Sequence, residues 1–410
     1  MAHTMRIEAV ASANVRSGLE ADAVARGALE FARSVLDGTD GSTEELEAID
    51  WEAREVGTGL FWVFRPDLGD DGEYTFGLVD EASRVNLNSA ASDMLLKLPG
   101  MTAELADSII DWRDGDADVS SSGAESEYYL LQRPAYYCKD APLETVEEVL
   151  LVRGATTELL YGEDANRNAV LDPSENDGEE SYPSDNSDGR LDTGFLHYVT
   201  VYSAESNRAA DGSERVNVND FDTTALSDLL GEVIVGDRVF TILQAARRGR
   251  PYENIIEFYQ RSGLTQEEFA QVADRLTTSD DEDVTGLVNV NTAPREVLLC
   301  LPELDESDVD DLLVAREDLD TDTSSVAWVS EMIEPEKAAA VGSYITTRSY
   351  QFSADILAVS GDGRAYRRCR AVLDARESPP RVVCWQDLTH LGWPLDADII
   401  AELRAAERER

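Results

Sequence analysis

Val85-Asn86-Leu87-Asn88-Ser89 is a phrase this chain writes three times, returning as Val216-Asn217-Val218-Asn219-Asp220 and Val288-Asn289-Val290-Asn291-Thr292. The fifth residue of each copy carries a side-chain oxygen able to accept from a free N–H of a helix's first turn, so the phrase reads as a strand-like entry into a helix. After Ser89 come Leu95-Leu96-Lys97-Leu98-Pro99-Gly100-Met101 and then Ile109-Ile110-Asp111-Trp112-Arg113. At the same offset Thr292 leads to Leu298-Leu299-Cys300-Leu301-Pro302-Glu303-Leu304 and then Leu312-Leu313-Val314-Ala315-Arg316. Two short helices joined by a tight Pro-containing turn form the helix-hairpin-helix signature. A unit this small cannot bury its apolar face alone, so repeats of it are expected to pack on one another. The middle copy is weaker, with Leu226, Leu229 and Leu230, then Val239, Ile242, Leu243 and Ala246, and no Pro-Gly turn.

Helix-hairpin-helix units often hold a nucleic-acid phosphate on the N–H groups of a Gly-rich turn. Charge argues against that use here. The chain has 83 acidic and 35 basic residues, a net charge of −48, whereas a phosphate binder needs Lys and Arg to displace counterions. Only Lys97 lies near the first hairpin turn, and Glu303 replaces Gly100 in the third copy, setting a carboxylate where a phosphate would sit. The expectation is no nucleic-acid partner, with the hairpins serving as packing units.

With 410 residues and 42% hydrophobic content the chain can bury a large core in two or three domains. Its acidity favours solubility and divalent cations or basic partners, and adaptation to salt explains the same composition. No run of eighteen apolar residues and no complete signal peptide is present. The opening Met1-Ala2-His3-Thr4-Met5 reads as an expression leader on a chain whose natural beginning is missing. Cys138, Cys300, Cys369 and Cys384 show no metal-site spacing and are expected as buried thiols. Cys369 and Cys384 fall on neighbouring predicted strands, but a turn at Glu377 to Pro380 sets Cys384 opposite Leu373, too far from Cys369 for a disulfide.

Catalysis finds little support. His3, His197 and His390 are scattered, no Ser sits in a nucleophile elbow, and no Gly-rich phosphate loop follows a strand. Trp62, Phe64, Tyr74 and Phe76 read as core. The expectation is a non-enzyme with no small-molecule substrate.

The ends of the chain read differently from its middle. From about Asn14 to Leu36, Val24, Ala28, Phe31 and Val35 recur on one helical face, and Gly38 supplies a stop. This apolar face is expected to pack partly on its own sheet and partly on partner subunits. Gly59 to Leu68 and Glu73 to Glu81 read as a hairpin around Gly69-Asp70-Asp71-Gly72. Later, Tyr350, Phe352, Ala354, Ile356 and Ala358 alternate with Gln351, Ser353 and Asp355, the period of a half-buried strand. Asp362-Gly363 then turns into Tyr366 to Leu373, and Val382 to Leu388 follows. Neither end can bury a sheet alone, so the strands of both ends are expected to pair around an insertion.

Residues Asp80 to Asn88, Asp111-Trp112-Arg113-Asp114, Gly123-Ala124-Glu125 with Tyr128-Tyr129, Ala141-Pro142-Leu143-Glu144 and Glu147 to Gly154 follow one another in an order that resembles minor pseudopilin K of the type II secretion system. The likeness covers most of residues 59 to 161. It implies an α+β fold in which a pilin-like long N-terminal helix on an antiparallel sheet is interrupted by a large, mostly helical insertion with helix-hairpin-helix repeats. The expected divisions are 6–83 for the helix and first strands, 84–340 for the insertion with repeats at 85–114, 216–248 and 288–317, and 341–410 for the remaining strands. The resemblance further implies a place at the tip of a periplasmic pseudopilus, where the protein caps or initiates the fibre for export across the outer membrane. Its partners would be the minor pseudopilins I and J. Family members are anchored in the inner membrane by an N-terminal helix segment that this sequence lacks.

One ligand site is expected within the acidic stretch 163–192, which holds ten acidic and two basic residues. Asp164-Ala165-Asn166-Arg167-Asn168-Ala169-Val170-Leu171-Asp172-Pro173-Ser174-Glu175 matches a twelve-residue calcium loop. Asp164, Asn166, Asn168 and Asp172 would offer side chains or a bridging water, Val170 a carbonyl and Glu175 two oxygens, because calcium takes six to eight oxygen ligands. Leu171 would anchor the loop to the core. Ala169 stands where the loop usually has Gly, and Pro173 limits any helix that follows; a plain solvated acidic loop is the other reading. A poorer match follows at Asp185 to Asp192, with Asn186, Asp188 and Asp192 at ligand positions but Ser184 and Phe195 at the first and twelfth, and it reads equally as an Asx-rich turn. Two other functions remain open: a periplasmic DNA receptor of the competence type, which Val288 to Pro302 resembles locally, and a calcium-dependent surface adhesin.

Overall fold

Ala21, Val24, Ala25, Ala28, Ala32 and Leu36 return every three or four residues along the first helix, Ala2–Leu36, and all are buried. The computed structural model describes residues 2–39, 42–68 and 74–409. The helix starts well before the expected Asn14, and residues 4–16 are almost entirely exposed. Its buried half packs on Phe61, Val63, Phe352, Ala354, Ile356 and Ala358 of a sheet and on Trp51, which precedes the first strand. Val24 and Ala28 therefore belong to the chain's own core and cannot meet a partner. Phe31 and Val35 are half-buried at the margin of that core, Phe31 with its ring 5.3 Å from Trp51 and with the Arg54 guanidinium 4.2 Å above it.

The sheet runs Arg54–Val56, Gly59–Arg65, Gln351–Val359, Tyr366–Asp374, Arg381–Asp387, with every neighbour antiparallel. Gly59–Arg65 lies directly against Gln351–Val359, pairing Leu60 with Val359 and Phe64 with Asp355. Residues from the two ends of the sequence thus share one ladder. Thr75–Phe76 pairs with Gly59–Arg65, as a hairpin requires, while its expected turn at Gly69 to Gly72 lies outside the described residues.

Gln351–Val359 is buried at all nine positions, not on one face only. A second layer explains the difference. A C-terminal helix, Ala397–Glu409, which the sequence analysis missed, lays Ile399 and Leu403 with Leu395 and Trp393 over Trp62, Phe64, Leu357 and Val359. The polar positions are also covered: Gln351 Oε1 accepts from Ala204 N of the inserted body at 2.7 Å, and Asp355 binds Arg368 of the neighbouring strand at 3.0 and 3.1 Å. Cys384 sits opposite Val372 rather than Leu373, because the turn is wider than expected, with Asp374 facing Arg381, and the extra residue Val383 makes up only part of the difference. All four thiols are free, with Cys369 facing Asp387.

Between the sheet strands a separate core extends from Val85 to Ile345. Its three repeated phrases each form one rung-pair of a parallel ladder, Val85–Asn86 with Val199–Thr200, Val216–Asn217 with Leu276–Thr277, and Val288–Asn289 with Ile345–Thr346. The last partner shows that residues 341–346 belong to this helical body, beyond the expected boundary at 340. The repetition of Asn has a common cause. The first Asn of each phrase turns its Oδ1 to the N–H two residues on, in Asn88, Asn219 and Asn291. The second Asn ties down the loop that returns to the ladder: Asn88 exchanges two bonds with Leu143, Asn219 two with Tyr252, and Asn291 donates to Thr323 O.

Each phrase feeds a helix pair: Ser92–Leu95 with Ala103–Arg113, Thr224–Val233 with Arg238–Gly249, and Arg295–Cys300 with Glu306–Glu317. Gly100 and Glu303, at equivalent turn positions, both adopt a left-handed backbone, with φ of 68° and 60°. Arg113 donates to the carbonyls of Leu87 and Ala90, and Arg316 to those of Val290 and Ala293, closing the strand-to-helix corner in both copies. Lys97 Nζ donates to Leu301 O at 2.7 Å and links the first pair to the third.

The inserted body meets the sheet at Asp80, on Val79–Asp80, which pairs with Phe352 and Ser353. Its carboxylate accepts from Ala82 N, Thr292 Oγ1, Asn289 Nδ2 and Ser349 Oγ. Burial pushes this carboxyl up to about 6, against those hydrogen bonds, which favour the charged form.

Candidate functional site

The acidic loop 163–192 leaves the inserted body after the short helix Thr157–Tyr161 and folds back toward the sheet. Gly162 lies at its base with φ 62°, and a Cβ there would come within 2.0 Å of Asp192 O. Only glycine fits that crossing, so the two ends of the loop are pinned together, with Glu163 N donating to Asp192 O at 2.6 Å.

The first candidate loop is curled inward around its carboxylates. Asp164 is 2% exposed; its two oxygens accept from Asn168 N at 3.1 Å and Ala169 N at 3.0 Å. Ala169 has φ 60°, the left-handed conformation that the usual glycine adopts, although an L side chain pays roughly 1 kcal/mol to take it. Glu175, also 2% exposed, reaches back across the loop and accepts from Ala165 N at 2.9 Å and Asp172 N at 3.1 Å. Asp172 accepts from the Asn166 and Asn168 amides, and Asn168 Oδ1 from Val170 N at 2.8 Å. Pro173–Glu175 forms a single 3-10 turn, which is as far as the helix after Asp172 runs.

Leu171 is only half-buried and does not join a core cluster. Polar groups anchor the loop instead. Asn168 Nδ2 donates to Pro394 O at 2.9 Å, and the fully buried Arg368 donates to the carbonyls of Asn166 and Arg167 while holding Asp355 on the central strand. The Arg167 guanidinium lies 3.9 Å over the Tyr161 ring. None of these contacts is visible as sequence spacing, since Arg368 lies far along the chain; the cluster of Arg367, Arg368 and Arg370 within one strand was the available signal.

Electrostatically the loop is short of positive charge. Burial first, and then Asp164 and Asp172, push the Glu175 carboxyl up to about 7, and burial also raises Asp172. His197 Nε2 stands 3.9 Å from Asp164 Oδ2, but burial lowers its pKa and favours the neutral ring. Asn166 Oδ1 is buried without a hydrogen-bond partner. These oxygens fit a hard cation, which would relieve the repulsion and satisfy the orphaned carbonyl. Asp164, Asp172 and Glu175 do not bring one oxygen each within 4.8 Å of the others; among the described residues the one such group of His, Cys or acidic side chains is Glu125, Cys138 and Asp140. A cation in the loop therefore requires the carboxylates to draw closer.

The second candidate, Asn186, Asp188 and Asp192, is a run of Asx turns. Their Oδ1 atoms accept from the N–H groups of Asp188, Arg190 and Gly194, each at 2.8 Å. Asp185, preceding them, is held by the N–H groups of Asp177, Gly178 and Ser187, which lower its pKa although burial opposes them. Phe195, at the twelfth position, is fully buried.

Residues 77–161 match the family model described as type II secretion system (T2SS), protein K. Over that stretch the chain is similar to the family that its motifs resemble. None of the curated proteins matches it. A solved structure described as the crystal structure of the GspK-GspI-GspJ complex from the enterotoxigenic Escherichia coli type 2 secretion system is similar at 12% identity, covering 94% of this chain and 99% of that one, with a TM-score of 0.46. Among the described residues no helix is long and apolar enough to cross a membrane.

Proposed function

We propose that this chain is a non-enzymatic minor pseudopilin, carried at the tip of a type II secretion pseudopilus in the periplasm and anchored in the inner membrane. The observation that carries the reading is the match of residues 77–161 to secretion protein K, a stretch that includes the Asp80 junction between sheet and insertion. In this reading the stretch from 84 through Thr346 is an insertion into a pilin-like unit, and its helix pairs are helix-hairpin-helix elements used for packing. Lys97, Arg113 and Arg316 all donate to backbone carbonyls of the chain itself, which favours that use over phosphate binding.

The partners in this proposal are the minor pseudopilins I and J. The docking element is the exposed half of the first helix, where Met5, Ile7, Val10, Val15 and Leu19 are each more than half exposed. The bulky insertion then obstructs addition of further subunits above it, so the protein caps or initiates the fibre. A pull-down of pseudopilins I and J by the purified chain, in calcium, tests this; capture of neither, with both partners folded, is the result against it.

We also propose calcium as the ligand of the Asp164 loop, with Asp164, Asn166, Asn168, Val170, Asp172 and Glu175 as its donors, and a weaker site at Asn186, Asp188 and Asp192. The left-handed Ala169, the orphaned Asn166 Oδ1 and the raised Glu175 support the first site. Calcium would supply structural cross-linking of the loop. Protection of residues 160–195 from proteolysis by calcium, reversed by chelator, is the expected behaviour; identical digestion in both conditions removes the site.

A further inference from the structure

We propose that Glu125, Cys138 and Asp140 form a second metal site, chemically distinct from the acidic loop and suited to zinc or a similar borderline-soft divalent ion. The Cys138 sulfur and one oxygen each from Glu125 and Asp140 lie within 4.8 Å of one another. A tetrahedral zinc ion with bonds of about 2.0 to 2.3 Å holds its ligand atoms about 3.3 to 3.8 Å apart, so closure asks for movements of about 1 Å. Calcium and magnesium avoid sulfur, whereas zinc accepts thiolate and carboxylate together.

The independent sign of a missing partner is Glu125. It is 5% exposed, and its Oε1 is buried with no hydrogen-bond donor. It occupies the position before the short helix Ser126–Tyr129, where a side chain usually caps the helix, yet it makes no cap bond. A buried carboxylate left this way costs several kcal/mol unless something positive sits against it. Lys139, between Cys138 and Asp140, is turned away to Glu148 at 2.8 Å.

The surroundings hold the three groups in place. Cys138 N donates to Ser126 Oγ at 3.0 Å, fixing the cysteine strand to the helix that follows Glu125. Without metal, the S–H points to Asp111 O at 3.5 Å. Asp140 is exposed, which gives the ion an entry path and leaves the fourth position to water.

The test uses the full chain, reduced, with cobalt(II) chloride as the spectroscopic probe and zinc chloride as competitor. One equivalent of cobalt should give a near-ultraviolet thiolate-to-metal charge-transfer band that zinc abolishes. Cys138→Ser should lose the band, and both it and Glu125→Gln should weaken zinc binding by about 100-fold or more. Cys384→Ser, and Asp164→Ala with Glu175→Ala, should leave the band intact, separating this site from the other accessible thiol and from the acidic loop. No band at one equivalent, a band that survives in Cys138→Ser, or undiminished affinity in a folded Glu125→Gln each overturns the proposal.

Discussion

Replacing Arg368 with Met should uncouple the acidic loop from the sheet. Arg368 is fully buried and donates to Asp355 at 3.0 and 3.1 Å and to the carbonyls of Asn166 and Arg167. Methionine keeps part of the volume but leaves a buried carboxylate and two loop carbonyls without donors. Breaking a buried ion pair from one side costs about 3 to 5 kcal/mol. Arg370, 3.6 Å from Asp355, remains as a partial substitute, which places the expected loss near the lower end, about 3 kcal/mol. Equilibrium urea unfolding by circular dichroism measures this directly, and limited proteolysis within 163–192 reports release of the loop. Calcium protection should weaken in parallel. A loss below about 1 kcal/mol with unchanged proteolysis would refute the view that this guanidinium joins loop and sheet.

Asp164→Ala with Glu175→Ala should abolish most of the calcium-dependent rise in melting temperature, since a ligand stabilises only the state that binds it; an equal rise in variant and parent counts against the assigned donors. Ala169→Gly should stabilise the calcium-free protein by about 0.5 to 1 kcal/mol in urea unfolding, because relief of the left-handed strain is partly offset by a freer unfolded chain. Asp80, with its folded value raised to about 6, contributes stability that is present below its ordinary value of 3.8 and is lost as pH climbs through about 6. The difference in unfolding free energy between the parent and Asp80→Asn should therefore change across that window; a difference independent of pH from 3.8 to 7 contradicts the buried-carboxyl account. At physiological ionic strength a labelled duplex should show no salt-sensitive retention by the chain, as its net charge of −48 and the engaged Lys97 require.

Local signals in the sequence carried the parts of the fold that local physics determines. The Val-Asn phrases marked strand-to-helix entries, although the Asn side chain does this by answering the backbone two residues away, and Ser89, Asp220 and Thr292 do not cap the helices, whose N-caps are Ala91, Thr223 and Pro294. Asp362-Gly363 marked a hairpin because Gly363 adopts φ 63° there. What could not be read was set by distant groups. The parallel partners share only a two-residue phrase, Val199-Thr200, Leu276-Thr277 and Ile345-Thr346, too short to point to its pairing with the Val-Asn phrase. The polar alternation of Gln351, Ser353 and Asp355 implied solvent, yet Ala204 and Arg368 bury it. For the acidic loop, ligand order was legible in Asp164 to Glu175, whereas its attachment through Arg368 and Pro394 was not. Glu125 and Cys138 are joined only by tertiary packing through Ser126, which no spacing rule describes.

The account turns on whether the exposed half of the first helix is an assembly surface. Mixing the purified chain with minor pseudopilins I and J in calcium, and measuring mass by size-exclusion chromatography with light scattering, tests it most directly. A single species containing all three chains is expected, with Val15→Glu combined with Leu19→Glu leaving this chain folded but eluting alone. Separate elution of the unmodified chain from both partners, or a complex indifferent to those two substitutions, would contradict it.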